Sequence, residues 1–563
     1  MKSFSIENIK SFKDKTEIEI KPITILVGKN SCGKSSLIRF PVVLAQTTTG
    51  VNRLPLQFYG NLIDYGTFDD VVYSHKGNEI SYSVKYDFSM SYITYTPFRS
   101  LYEDKPAVLK TVEIKTRLGM FKDLLAITRQ EIIFDNKCIY VYSADDKNET
   151  FRLFGAYDFD KQSFDDVDFE VTREKKSDFA YGIFEFVIGG KELKTLINNT
   201  YFSDNYVDFD DTRKQRLINK ILFSKSNNNA VNEIRQRIKT STNNLNLEDK
   251  INPEALLSTT LDAPGDSLVY LDLIKDDLLN KLYKDSGVTY RELKFWYIYA
   301  GFEIILDIVQ NISSLIRREN AVFSYLGPFR QEPERIYRYS GANYKYLYDV
   351  GVKGENVNNI FVYNFHNKEK PIFDDVSNWL NKSLGYKLLA QNVANGYYQL
   401  LLEDKNGIKT NIADVGYGIS QVLPIVTQTM MSKYKKYREE VDAVRTDVIV
   451  VEQPELHLHP AAQAELADLF VACVTENKNQ RMLIETHSEH FIRKLQVLVA
   501  DKNNKITSDD IAVYYVDKND KGEAFIDKLN LLPNGQFEKE WPTGFFDKAL
   551  ELSMDLIKKN SEA

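Results

Sequence analysis

A glycine-containing segment near the start of the chain has the residue types and spacing needed to hold phosphate groups. Residues 28–35 read GKNSCGKS and fit the pattern G-x-x-x-x-G-K-[ST]. In this pattern, backbone N–H groups of the loop surround phosphate oxygens, the lysine neutralises their charge and the last hydroxyl binds Mg²⁺. We therefore expect a nucleotide site formed by the loop residues Gly28, Lys29, Asn30, Ser31, Cys32, Gly33, Lys34, Ser35 and Ser36.

A carboxylate with a second chemical role follows the apolar segment DVIVV at residues 447–451. Glu452 ends this segment, at the position where nucleotide-hydrolysing enzymes with such a loop place an acid that binds Mg²⁺. The next position commonly holds the acid that orients the attacking water, and here it is Gln453. Because an amide is a poor proton acceptor, two hypotheses follow. Either hydrolysis of the nucleotide is slow, or Glu455 accepts the proton instead.

A second glycine-containing loop, DVGYG at residues 414–418, precedes another apolar helix that we expect to begin near Ser420. The N-terminus of a helix favours anions, because its unpaired backbone N–H groups and the helix dipole point toward them. This loop is therefore a candidate contact for a γ-phosphate. The alternative interpretation is a loop that only caps the helix.

Histidines and basic clusters suggest further chemistry. Four of the six histidines lie between residues 457 and 490, namely His457, His459, His487 and His490. Imidazole and carboxylate are suitable ligands for divalent metals, so an autonomous metal-dependent nuclease is one alternative function. Basic clusters at residues 213–216, 235–239 and 330–338 could contact nucleic-acid phosphates or be ordinary solvated surface. The sequence leaves both interpretations of these clusters open.

The elements that must position these residues fall into two patterns. Short apolar strands near residues 447–451, 482–484 and 511–516, with helices between them, predict a largely parallel α/β sheet. The region 76–320 instead contains short alternating runs such as EISYSVKYDF and KTVEIKTRL, which predict strands of an inserted lobe. Near its end, residues 290–318 have the periodicity of one long helix.

We therefore predict a split organisation of the chain. Residues 1–75 and 321–563 form the two parts of one head, and residues 76–320 form an inserted α+β lobe. The length of 563 residues agrees with several domains. The formal charge of 72 − 80 = −8 provides no global basic field for binding nucleic acid.

The cysteine count, the apolar runs and the N-terminal segment indicate in which compartment the protein works. Three scattered cysteines are too few for a disulfide framework. No apolar run has the length needed to cross a bilayer, and the N-terminal segment is charged throughout, unlike a signal peptide. We expect a cytoplasmic protein that does not contact a membrane.

The order of these motifs resembles the ABC-type ATPase heads of the RecF/SMC kind. More narrowly, it is similar to the AAA-like ATPases grouped with the OLD (overcoming lysogenisation defect) and Septu-type bacterial defence proteins. The segments that carry the resemblance lie within residues 1–75 and 321–550 and include NIADVGYGISQVLPI, VVEQPELHLHP and IETHSEHFI. The resemblance implies an α/β P-loop NTPase fold with an ABC-type head. OLD relatives carry a TOPRIM nuclease domain with a spaced acidic cluster, and residues 517–520 (DKND) do not provide its Asp-x-Asp, so we expect this chain to lack a nuclease of its own.

The resemblance also implies roles for particular residues. Glu452 and Ser35 take the Mg²⁺ positions, Gln453 takes the position of the catalytic acid, and His487 takes that of the switch histidine that reaches the γ-phosphate. Gly416, Gly418 and Ser420 lie in the signature segment, where Ser420 supplies the hydroxyl. The metal-coupling glutamine stays open between Gln46 and Gln57.

By the same resemblance, the cofactors are ATP and Mg²⁺, and the partner is a second copy of the chain. Each signature segment would then contact the ATP of the other copy in a homodimer or higher oligomer. The implied setting is anti-phage defence, in which the ATPase regulates a separately encoded effector such as an HNH nuclease, with direct nucleic-acid binding possible. The main alternative is a RecF-like DNA-maintenance ATPase that clamps DNA.

Overall fold

The computed structural model describes part of the chain. The described residues are 1–50, 54–75, 77–89, 109–121, 124–145, 147–154, 157–158, 163–164, 168–174, 309, 312–313, 315–317, 319–320, 323–339, 349–366, 371–434, 446–541, 552 and 554–559. The chain divides into two compact units, one formed by Met1–Val84 with Arg317–Ala563 and the other by Lys85–Ile316. Within the described residues, no helix combines the length and apolar character needed to span a bilayer.

The strands and helices of the described residues are named in chain order. The strands are β1 (Ser3–Glu7), β2 (Thr16–Glu19), β3 (Ile23–Gly28), β4 (Glu79–Ser89), β5 (Leu109–Phe121), β6 (Leu124–Phe134), β7 (Lys137–Ala144), β8 (Asn148–Phe154), β9 (Tyr157–Asp158), β10 (Ser163–Phe164), β11 (Asp168–Glu174), β12 (Phe323–Leu326), β13 (Tyr337–Arg338), β14 (Lys387–Ala394), β15 (Tyr397–Glu403), β16 (Lys409–Asn411), β17 (Asp447–Glu452), β18 (Gln480–Glu485), β19 (Ile511–Lys518) and β20 (Ala524–Leu529). The helices are α1 (Lys34–Thr49), α2 (Phe68–Val71), α3 (Val357–His366), α4 (Pro371–Leu384), α5 (Tyr417–Met431), α6 (Pro460–Glu476) and α7 (Glu489–Ala500).

A six-stranded sheet forms the centre of the first unit, in the order β12-β17-β18-β3-β19-β20. The first five strands are parallel, and β20 pairs antiparallel with β19. Strands β3 and β17 are buried along their whole length, as their Val, Ile and Leu content predicts for parallel strands. The predicted α/β P-loop fold is therefore confirmed.

This strand order brings distant parts of the sequence together. Strand β3 lies between β18 and β19, although more than 400 residues separate it from either strand along the chain. Glu452 at the end of β17 pairs in register with Glu485 at the end of β18. Glu485 in turn pairs with Leu26 of β3, two residues before Gly28. Because parallel strands end at the same edge, two glutamates and the 28–36 loop meet there.

Helix α1 packs against this sheet and against the N-terminal strands. The ring of Phe40 on α1 stacks on Phe4 at 6.1 Å and contacts Tyr82 at 5.3 Å between centroids. The hydroxyls of Ser5 and Ser83 share a buried hydrogen bond of 2.8 Å. The ring contacts pack α1 against β1 and β4, and the serine hydrogen bond joins those two strands.

A smaller sheet of the first unit leads into the signature loop, which is residues 414–418. Strands β13, β15 and β14 pair in that order, and β16 pairs with β15. The chain then passes through a short 3-10 turn at Ile412–Asp414 into α5. This helix begins at Tyr417, three residues earlier than we expected, and Gly416 takes the N-cap position with a φ of −52°.

The second unit contains an antiparallel meander in the order β5-β6-β7-β8-β11. The two alternating runs singled out in the sequence are strands, in β4 and β5. The predicted helix at 290–318 lies mostly outside the described residues, although the described positions 312–313 and 315–317 are helical. The basic clusters at 213–216 and 235–239 lie wholly outside them.

Candidate nucleotide-binding site

The phosphate loop connects β3 to α1 through conformations that require glycine. Gly28 has a φ of 145°, and a Cβ atom there would lie 2.0 Å from the carbonyl oxygen of Val516. Gly33 has a φ of 110° and caps α1 without a side-chain hydrogen bond within the described residues. The first N–H groups of α1 are thus available to an anion, as in phosphate-binding loops.

Lys34 is the buried cation of this loop, with 3% of its surface exposed. Its Nζ donates hydrogen bonds to the carbonyl oxygens of Gly28 at 3.0 Å and Lys29 at 2.6 Å. A buried ammonium needs such partners, since desolvation is otherwise costly. The loop therefore places the lysine amino group at the position where its sequence pattern requires it.

An open cavity of about 580 Å³ lies beside the loop. Its lining includes six of the nine predicted loop residues, namely Asn30, Ser31, Gly33, Lys34, Ser35 and Ser36. Gln453, Glu485 and His487 line the same cavity from the ends of β17 and β18. The cavity thus combines a phosphate-binding loop with a carboxylate, an amide and an imidazole.

Glu452 lies outside this lining and is held by partners of its own. Arg39 on α1 donates to both carboxylate oxygens, from Nε at 2.6 Å and from Nη2 at 2.7 Å. The hydroxyl of Tyr325 on β12 also donates to Oε1, at 2.7 Å. Burial alone would lower the pKa of Arg39, but these bonds to Glu452 raise it. The Mg²⁺ role of Glu452 stays a prediction.

Gln453 occupies the edge of the cavity in a left-handed conformation, with a φ of 46°. Its backbone N–H donates to the carbonyl oxygen of Glu485 at 2.8 Å. The guanidinium of Arg330 donates to the carbonyl oxygens of Glu452 and Gln453 at 2.7 and 3.3 Å. Arg330 is buried, which lowers its pKa to about 10, so it fixes this turn and is not part of an exposed basic surface.

Glu455, the alternative proton acceptor, is engaged in structural hydrogen bonds. One carboxylate oxygen accepts from the hydroxyl of Thr486 at 2.8 Å, and the other accepts from the backbone N–H of His487 at 2.6 Å. Burial raises the pKa of this carboxyl group. The contacts tie the loop after β17 to the segment that carries His487, so Glu455 positions that histidine. Its role as a proton acceptor stays a prediction.

His487 faces the cavity with a nitrogen free for a ligand. Its Nε2 atom is buried and has no hydrogen-bond partner in the described part of the chain. Burial, together with the charge of Lys34, lowers the pKa of His487 to about 4. The imidazole is therefore neutral near pH 7 and can donate or accept one hydrogen bond at that nitrogen.

Sequence reasoning missed Glu485, a carboxylate that contacts the Ser35 end of the loop. The hydroxyl of Ser35 donates to its Oε1 at 3.0 Å, whereas Oε2 has no partner among the described residues. The side chain is 3% exposed. Burial and the neighbouring charge of Glu452 raise the pKa of Glu485 to about 7. The available signal was a charged residue ending a buried strand in IETHS, as Glu452 does in VIVVE.

The signature residues are not brought to this cavity within one chain. Gly416 precedes α5 without a side-chain cap within the described residues, and a Cβ atom there would meet open space. The hydroxyl of Ser420 is buried and donates to the carbonyl oxygen of Tyr417 at 2.8 Å. A Cβ atom on Gly418 would lie 2.6 Å from the carbonyl oxygen of His457. The loop thus packs beside the residues that follow β17.

The remaining candidates have structural partners. Gln46 is buried, and its amide group bonds to the backbone of Gln57 and Ile63. His459 caps α6 through Nδ1, which accepts from the N–H of Ala461 at 3.4 Å. Across the described residues, no group of three or more His, Cys, Asp or Glu side chains could hold a metal ion. The alternative of a nuclease built on the histidines gains no support from this geometry.

The fold and the loop define a nucleotide-binding ATPase domain, and the comparison with protein families agrees. Residues 1–492 match the family AAA_15, described as an AAA ATPase domain, and the chain belongs to this family. Residues 506–556 match a second family, described as a protein of unknown function, DUF3696. A search of curated proteins found no match to the chain.

Solved structures that match the chain include heads of Smc proteins. One is an Smc head domain with an extended coiled coil, bound to the C-terminal domain of ScpA and derived from Pyrococcus furiosus. It is 12% identical, with a TM-score of 0.34, covering 100% of this chain and 99% of that chain. Another, an Smc head domain with a coiled coil and joint from Pyrococcus yayanosii, is 13% identical with a TM-score of 0.32, covering 94% and 96%. The family assignment rests on the family match alone.

Proposed function

We propose that this protein binds ATP with Mg²⁺ at the 28–36 loop, hydrolyses it slowly, and closes as a dimer around the nucleotide. The closed dimer then regulates a separately encoded effector, such as a nuclease, in defence against phage. The observation that carries the nucleotide part is the buried ammonium of Lys34 beside an open cavity that Ser35 and the N-terminus of α1 also line. A polyanion is the ligand that such a cavity favours.

The residues beside the loop fit Mg²⁺, a hard cation that prefers oxygen ligands. The Ser35 hydroxyl and the buried Oε2 of Glu485, which has no partner among the described residues, supply two such oxygens. A carboxylate from Glu485 or Glu452, together with Ser35, would hold the ion. When bound, Mg²⁺ neutralises charge on the phosphate oxygens.

The side chains around the cavity suggest how hydrolysis proceeds. Lys34 exchanges its bonds to the loop carbonyls for bonds to phosphate oxygens and so stabilises their charge. The free Nε2 of His487 contacts the γ-phosphate, and Glu455 keeps that imidazole in place. The Gln453 amide orients the attacking water without accepting its proton strongly, so we expect slow hydrolysis.

The dimer is proposed from the position of the signature loop. Gly416 and Tyr417 begin α5 outside the cavity lining, and 58% of the Tyr417 surface is exposed. A helix N-terminus exposed in this way can receive a phosphate that another copy of the chain holds. Binding energy from such contacts shifts the population toward the closed dimer.

The effector and the defence role rest on the family resemblance of the motifs. Expression of the chain with its neighbouring gene should lower phage plating efficiency, and Lys34→Ala should remove that protection. Co-purification of the neighbouring product supports regulation of an effector. ATP-dependent, salt-sensitive DNA binding by the chain alone would favour a DNA-clamping ATPase instead.

The test of the nucleotide proposal is the substitution Lys34→Ala in the full chain. Removing the buried ammonium should weaken ATP binding by at least about a hundredfold, because the phosphate charge is no longer compensated. Isothermal titration calorimetry measures the affinity directly. The matched control is Lys13→Ala, which removes an exposed lysine paired with Glu523 and should bind ATP like wild type. Equal affinity in Lys34→Ala and wild type would contradict the proposal.

A further inference from the structure

We infer that Glu485, rather than Glu452, is the carboxylate that faces the Mg²⁺ of the bound nucleotide. The inference depends on the proposed ATP-binding function and specifies one residue of that site. It departs from the role that the family resemblance implies for Glu452. Three independent observations support it, concerning the partners of the two glutamates, the contact with Ser35 and the order of the strands.

The two glutamates have opposite hydrogen-bonding situations. They pair in register at the ends of the neighbouring strands β17 and β18, and both are almost fully buried. Both oxygens of Glu452 accept from the Arg39 guanidinium, and one also accepts from Tyr325. To bind a metal, Glu452 would have to release a bidentate ion pair and leave Arg39 without its charge partner. The positive charge of Arg39 also repels a cation at that position.

Glu485 has the complementary arrangement. Its Oε1 accepts from the hydroxyl of Ser35, the residue that binds Mg²⁺ in this loop pattern. Its Oε2 is buried and has no partner in the described chain, although an unsatisfied buried carboxylate oxygen is costly. The side chain lines the cavity together with Ser35 and Lys34. A cation that prefers oxygen ligands would satisfy the free oxygen.

The order of the strands places Glu485 closer to the loop than Glu452. Strand β18 is hydrogen-bonded directly to β3, and Glu485 pairs with Leu26, shortly before the loop begins. Strand β17 lies one strand further away, on the other side of β18. Arg39 extends from α1 to Glu452 and holds its carboxylate in an ion pair at 2.6 Å. Glu485 therefore reaches the Ser35 hydroxyl without rearrangement.

The experiment compares Glu485→Gln with the matched variant Glu452→Gln in the full chain. The affinity for ATPγS is measured by calorimetry in Mg²⁺ and again in EDTA, so that metal dependence is separated from nucleotide binding. The Mg²⁺-dependent gain is the ratio of the ATPγS affinity in Mg²⁺ to that in EDTA. We expect this gain to be at least about tenfold smaller in Glu485→Gln than in wild type. Its affinity in EDTA should equal that of wild type, which also shows that it folds. Glu452→Gln should keep the Mg²⁺-dependent gain.

The opposite pattern, with the gain lost in Glu452→Gln and kept in Glu485→Gln, overturns the inference. Loss of the gain in both variants also overturns it, because the metal then depends on both carboxylates. If wild type binds with a Mg²⁺-dependent gain and Glu485→Gln keeps that gain, only this inference fails. If wild type binds no nucleotide, the proposed function and the inference fail together.

A metal exchange gives a second readout that does not depend on the glutamine variant folding. Cysteine thiolate prefers the soft cation Cd²⁺ to Mg²⁺. We expect Cd²⁺ to restore nucleotide affinity in Glu485→Cys and to give no such gain in Glu452→Cys. Cys32 of the loop is present in both variants, so its own binding of Cd²⁺ cancels in the comparison. Restoration in Glu452→Cys alone overturns the inference.

Discussion

Two helices of the first unit begin after glycine-containing loops, and their surroundings differ. Within the described residues, α1 and α5 start at Gly33 and Gly416 without a side-chain cap. By contrast, side chains cap α6 and α7. The N-terminus of α1 opens onto a cavity together with the buried Lys34, whereas α5 starts outside that cavity lining. The same helix geometry thus occurs once with a buried cation and once without.

The comparison indicates different tasks for the two helix starts. A helix N-terminus alone is worth about 1 kcal/mol toward an anion, so α5 cannot hold a nucleotide unaided. With Lys34, Ser35 and a nearby carboxylate, α1 has the parts of a complete site in one chain. We therefore expect α5 to act only on a phosphate that is already bound elsewhere.

The largest expected effect comes from adding a methyl group to the first glycine of the phosphate loop. In Gly28→Ala the new Cβ meets a backbone oxygen of Val516, and the residue must keep a positive φ. We expect a loss of about 3 kcal/mol or more in the free energy of unfolding. The matched change Gly416→Ala enters open space at a negative φ and should alter it by less than about 0.5 kcal/mol. Chemical denaturation measures the free energy of unfolding of both variants. Equal losses in the two variants would contradict the expected difference between the two loops.

A charge at the start of α5 tests its proposed contact with a partner's phosphate. Gly416→Asp should fold, because aspartate is a favourable N-cap residue and the position is open. Repulsion between the carboxylate and the phosphate should weaken ATP-dependent dimerisation by at least about tenfold. Light scattering with ATP measures the dimer, and Gly416→Ala is the control. Unchanged dimerisation in Gly416→Asp would argue against a contact in trans.

The smallest expected effect concerns the exposed ring at the start of α5. Tyr417→Phe removes the hydrogen bond of 3.0 Å from the Tyr417 hydroxyl to Glu332. Because the bond is exposed to water, its loss should change the free energy of unfolding by less than about 1 kcal/mol. Denaturation measures this value, and ATP binding by the single chain should stay at the wild-type level. A large loss of ATP affinity would mean that α5 contributes to the site in cis.

The sequence predicted the phosphate loop and the strand that leads into it, because glycine spacing and an apolar run are local signals. It could not show the partners of Glu452, since Arg39 and Tyr325 are distant in sequence and meet it only through strand order. Glu485 escaped notice for the same reason. A glutamate before Thr-His-Ser appears unremarkable until β18 is known to lie beside β3.

The placement of β3 has a consequence for the synthesis of the protein. Its final residue pairs with Val516, which the ribosome adds 516 − 28 = 488 residues later. At about 5–20 residues per second, this interval lasts roughly 25 to 100 s. The apolar strand lacks both neighbours until β18 is made and lacks β19 until the end of that interval, so we expect nascent chains to need chaperone protection. A ribosome stalled before β19 would hold a chain whose phosphate loop cannot yet form.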